Sequence, residues 1–126
     1  MSSLSAAMAL APAGAPIACP RDVLWEHCRN NLGIARLLVR EERPQPLVAT
    51  ACAMALETAC RAALEQAGLA FDGDVDRSLA RLGAPPELRL EEPPIRASER
   101  LASAERIVRW IADYLRREAP ERAWGC

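Results

Sequence analysis

The side chains able to do chemistry in this chain are few and widely spaced. His27 is the single histidine among 126 residues, and histidine is the side chain whose ordinary pKa suits proton exchange near neutral pH. The five cysteines, Cys19, Cys28, Cys52, Cys60 and Cys126, are odd in number, include no Cys-x-x-Cys pair and have no histidine cluster beside them. That spacing offers no zinc site. Cys52 and Cys60 fall two turns apart on one helical stretch, too far to bridge each other. With alanine neighbours, they read as small core side chains in a reducing cytoplasm. No Glu-x-x-His pair exists to repeat across a helical bundle as a metal site, and glycine-rich phosphate loops and a serine nucleophile elbow are missing too. The residues therefore specify no catalytic constellation, no metal and no cofactor.

What must position these residues is helical. From Leu47 the chain reads LVATACAMALETACRAALEQAG, in which Glu57, Arg61 and Glu65 recur every four positions while Val48, Ala51, Cys52, Ala55, Leu56, Ala59, Cys60, Ala63 and Leu64 cover the rest. A helix with so thin a polar stripe is buried on most sides. It starts at Pro46 and stops at Gly68, and the brief Pro44-Gln45-Pro46 turn makes it antiparallel to a preceding helix that opens at Pro20 or Arg21 and runs to Arg43-Pro44. Leu24, Cys28, Ala35, Leu38 and Val39 line one face of that first helix. Asp72 or Asp74 caps a third helix of about three turns carrying Val75, Leu79 and Leu82 and closed by Gly83. Two proline pairs bracket a connector, and a fourth helix from Ala97 or Ser98 shows Leu101, Ala104, Val108, Ile111 and Leu115 at heptad-like spacing, ending before Pro120. The expectation is an all-α, up-and-down four-helix bundle over residues 20–119, with a flexible N-terminal tail over 1–19 and a C-terminal tail over 120–126.

The charge balance narrows the partners. All 16 basic residues are arginines, and 17 acids bring the formal net charge to −1, so nothing drives the whole molecule toward nucleic acid or an anionic membrane. The first twenty residues carry no basic side chain, and the Ala6–Ala11 run is shorter than the core of an export signal. Pro16-Ile17-Ala18-Cys19 lacks the large aliphatic residue that a lipoprotein cleavage box places before its cysteine. No uncharged stretch elsewhere approaches the ~20 residues of a membrane span.

Ala55-Leu56-Glu57-Thr58-Ala59-Cys60-Arg61-Ala62-Ala63-Leu64 resembles the signature of the second helix in HEPN domains (higher eukaryotes and prokaryotes nucleotide-binding). Gly68, Asp72-Gly73-Asp74-Val75, and Leu79 with Leu82 stand where that family ends this helix and opens the next, Leu24 to Val39 resembles its opening helix, and Ala104 to Ile111 its closing one. The similarity covers about residues 20–118. It implies a bundle that commonly forms homodimers and often works beside a small nucleotidyltransferase in toxin–antitoxin pairs, with some members cleaving RNA. Those RNA-cleaving members carry an arginine followed four to six residues later by histidine near the last long helix. Here none of Arg89, Arg96, Arg100, Arg106 or Arg109 is followed by histidine, and Gly73 replaces the histidine expected before Asp74. Metal-free RNA cleavage needs a group that loses and regains a proton, so the resemblance points to a degenerate member without nuclease chemistry. Arg21 and His27 reproduce the bare spacing on the opening helix, but six positions turn through ~600° and leave the two side chains apart around the axis.

The leading expectation is a non-catalytic HEPN-like binding subunit, engaging a nucleotidyltransferase or a nucleotide-bearing ligand. The alternatives are a divergent metal-independent RNase using His27, and a helical dimer serving protein interaction only. For binding, Arg61 with Arg96 and Arg100 from the start of the fourth helix could surround a phosphate near that helix's N-terminus. The competing role for Arg61 is an exposed ion pair with Glu57, worth ~0.2–0.5 kcal/mol. Trp110, one position off the main stripe of the fourth helix, suits either the edge of the core or a partner interface.

Overall fold

The computed structural model describes residues 20–90 and 95–118. Among these residues the chain is helical and contains no strand: α1 (Pro20–Arg40), α2 (Gln45–Ala67), α3 (Val75–Arg81) and α4 (Ala97–Glu118). The two tails, with Cys19, Trp124 and Cys126, lie outside the described residues.

Each helix end has a local cause. At the end of α1, Arg43 N–H reaches back to the Leu38 carbonyl at 2.9 Å, and Glu42 turns the chain in the left-handed region at φ 53°. This is the geometry that glycine usually supplies. At the end of α2, Gly68 does supply it, at φ 75°, and Leu69 N–H closes the motif on the Leu64 carbonyl at 2.8 Å. The third helix is shorter than its spacing predicts: it has seven residues, about two turns. Asp72 accepts the Asp74 N–H at 3.0 Å and holds that stretch as a turn, so the cap falls on Asp74, whose Oδ1 accepts the Arg77 N–H at 3.0 Å. The Asp74 bond is also the leading cause that holds the Asp72 carboxyl below its usual range. Glu99 reaches back from the first turn of α4 to the Arg96 N–H.

The long helix α2 is the spine, with α1 and α4 packed along it and the short α3 also against it. Its alanines, Ala55, Ala59, Ala62 and Ala63, are fully buried, and their small side chains let the neighbouring backbones approach closely. Larger groups from the flanking helices fill the remaining space: Trp25, Cys28 and Leu32 from α1, and Ile107, Val108, Ile111 and Leu115 from α4. Each fully buried aliphatic side chain there contributes roughly 1.5–3 kcal/mol. Trp25 and Leu32 are deeper than Leu24, Leu38 and Val39, which pack at the margin, so the buried stripe of α1 is rotated from the face its spacing predicts.

By length and composition alone α2 could cross a bilayer, with a mean hydropathy of 1.4 over its most apolar stretch. Burial of 56% of that stretch within the bundle accounts for this character.

Candidate ligand groove

Beyond the core, α2 keeps a second apolar face that no helix covers. Ala53 and Met54 are exposed there, Met54 at 49%. Together with Phe71 and Val75 from the α3 region, and Leu90 and Ile95 from either end of the connector, they form a groove of about 620 Å³. That volume falls in the range of small-molecule sites. Leu90 and Ile95 are both held by hydrogen bonds: Gln45 Nε2 donates to the Ile95 carbonyl, and the Leu90 N–H donates to Asp76 Oδ1 at 3.0 Å.

The start of α4 lines the groove with Arg100 and Ser103. Three positions apart, they lie on one face of the helix. Among the described residues only three buried side-chain polar atoms lack a hydrogen-bond partner, Gln66 Oε1, Arg100 Nε and Ser103 Oγ, and two of them are in this groove. Ser103 is 2% exposed, and its hydroxyl does not bond back to the helix carbonyls one turn earlier. A buried donor left unpaired costs about 1–3 kcal/mol, so such groups are normally satisfied. The other polar side chains on the lining include two carboxylates already engaged: Glu57 pairs with Arg61 at 3.2 Å, and Asp74 caps α3. Burial raises the Cys52 thiol on the same wall, while the nearby Arg100 charge opposes that rise.

The four candidate residues do not converge. Arg100 enters the groove. Arg61 lies outside it, its guanidinium 5.3 Å from the centre of the Phe71 ring, in a shallower hollow with Leu24, Glu65 and Leu69. The two sites share Phe71 as a common wall. Arg96 projects into solvent with its side chain 88% exposed, 3.8 Å from Glu99. Trp110 lies about 15 Å further along α4 than Arg100; it is half-buried and stacked on Tyr114 at 5.7 Å, with Arg117 6.0 Å from its ring centre. The reading from sequence missed Ser103, Met54 and Phe71.

The exposed His27 lies on α1, outside the groove lining, and its backbone carbonyl accepts from Asn31 Nδ2 at 2.9 Å. The Arg21 side chain lies outside the described residues. No grouping of three or more metal-ligating side chains occurs among the described residues. Cys28, Cys52 and Cys60 are buried and form no disulfide. Burial pushes the Cys60 thiol from 9.0 up to about 12, the Asp76 charge adds to the rise, and a hydrogen bond with Ser78 opposes it. Comparison with family models, characterised proteins and solved structures finds no match.

Proposed function

We propose that this chain is a non-catalytic, HEPN-like binding subunit whose working surface is the groove between α2, the start of α3 and the start of α4. One observation carries the reading: Arg100 Nε and Ser103 Oγ are buried and without partners on the wall of a pre-formed apolar groove. Donors held in this way are ready for an acceptor from a ligand or partner. The HEPN resemblance favours a nucleotidyltransferase or another nucleotide-bearing partner for the subunit as a whole, without making a nucleotide the occupant of the groove itself. A homodimer is supported by Val23, Ile34 and Leu37, which fall on one outward line of α1 at 43%, 50% and 45% exposure. Buried thiols outside any disulfide support a reducing cytoplasm as its compartment.

The test compares the wild-type chain with Arg100→Gln and His27→Ala. Retention of a nucleotidyltransferase by the wild type, lost in Arg100→Gln, supports the binding role. RNA cleavage by the wild type that disappears in His27→Ala establishes the RNase alternative instead.

A further inference from the structure

We infer that the groove takes a small amphiphilic acid: one carboxylate head on an extended or flat apolar body. The inference rests on the groove being the binding surface and names the chemistry of its ligand.

The head follows from the donors. Arg100 Nε–H and the Ser103 hydroxyl are both buried, both unpartnered and on one face of α4. A carboxylate offers two acceptor oxygens, one for each donor, and the guanidinium charge strengthens its bond. The charge count follows from the rest of the lining. Among the described residues Arg100 is its one cationic side chain, while Glu57 and Asp74 are also on it. A di- or triphosphate would bring several negative charges beside these two carboxylates against a single guanidinium. A single negative charge adds the least to that repulsion and is matched by the one guanidinium.

The body follows from the walls. Met54, Leu56, Phe71, Val75, Leu90 and Ile95 present methyl, thioether and ring surface along the groove. Met54 is free to rearrange around an acyl chain or a ring. An apolar body there would cover surface that the fold otherwise leaves in water.

The experiment is calorimetric titration of the full chain with decanoate, decanol and ATP, each below any aggregation threshold. Wild type should bind decanoate one to one and decanol at least ~10-fold more weakly, the difference being the charged hydrogen bonds. Arg100→Gln should lose that difference, and Arg100→Lys should keep part of it. Ala53→Leu, which leaves both donors in place and narrows the groove, should weaken decanoate and decanol alike. Circular dichroism melts of each variant show that the bundle is intact. Equal binding of decanoate and decanol by wild type overturns the carboxylate assignment. Tighter binding of ATP, displacing decanoate in an Arg100-dependent way, overturns the single-charge inference and leaves the groove as the binding surface. Failure of all three ligands to bind overturns both this inference and the role given to the groove.

Discussion

Replacing Ser103 by alanine removes a hydroxyl whose oxygen is buried without a partner, so the folded state loses a desolvation cost and no hydrogen bond. The variant should be more stable by about 1 kcal/mol, a rise of roughly 4–8 °C in the thermal midpoint, while binding the carboxylate ligand less well. A lower midpoint would mean that the hydroxyl has a partner within the fold. Cys60 gives a second test through pH. Its folded pKa is raised from 9.0 to about 12, so between these values the folded chain holds a proton that the unfolded chain has released. Stability should therefore be undiminished by this group below pH 9 and fall as pH rises towards 12, by up to ~1.4 kcal/mol per unit. Denaturant midpoints measured at pH 8 and 10.5 should show this decline, and Cys60→Ala should lessen it despite its lower starting stability, the remainder coming from Cys52 and Tyr114, whose pKa values burial also raises. Arg100 was recognisable in the sequence as an arginine at the start of a helix. Ser103 was not, because a serine on an amphipathic helix reads as surface until its neighbours Ala104 and Ile107 are known to face inward.

Two helix ends form an opposed pair of substitutions. Glu42 ends α1 at φ 53°, a conformation that costs a residue with a side chain roughly 1–2 kcal/mol, whereas Gly68 ends α2 at φ 75° without that cost. Glu42→Gly should stabilise by up to ~1 kcal/mol after the added freedom of the unfolded chain is counted. Gly68→Ala should destabilise by about 1 kcal/mol, although nothing stands within 4 Å of an added Cβ. Urea titrations of the two variants check both signs; a neutral Gly68→Ala would contradict the strain argument. The same pair shows what the sequence disclosed. Gly68 announced its helix end, and α2 begins and ends within a residue of the expected limits. Glu42 carries no such signal, so the sequence alone takes the first helix to the proline at 44, whereas the helix ends at Arg40. The overlong reading of α3 has a related cause, since either Asp72 or Asp74 could cap and only the local hydrogen bonds select Asp74.

At the scale of the whole molecule, the alanine-rich α2 was legible as the central helix because a single polar stripe on a long helix leaves few ways to hide the rest, although its Ala53–Met54 face stays open. The groove was not, because it joins Met54, Phe71, Leu90 and Arg100 from segments that only the packed chain brings together. The exposed apolar residues of α1 bear on the proposed homodimer: if the chain self-associates through them, Ile34→Glu should shift it to monomer in light scattering and leave its helicity unchanged, whereas an assembly that persists would place the seam elsewhere. Over-filling the spine should act differently. Ala59→Leu inserts volume at a fully buried position between packed helices and should cost about 1–3 kcal/mol in denaturant unfolding. The claim on which the functional account depends is that Arg100 Nε–H waits in the groove for an anionic oxygen, and the direct measurement is the side-chain Nε–H resonance of Arg100 in 15N-labelled protein during titration with decanoate. A saturable shift of that resonance, with matching slowed solvent exchange and no comparable change at Arg96, is the predicted result. A resonance that stays fixed while decanoate saturates the protein would contradict it.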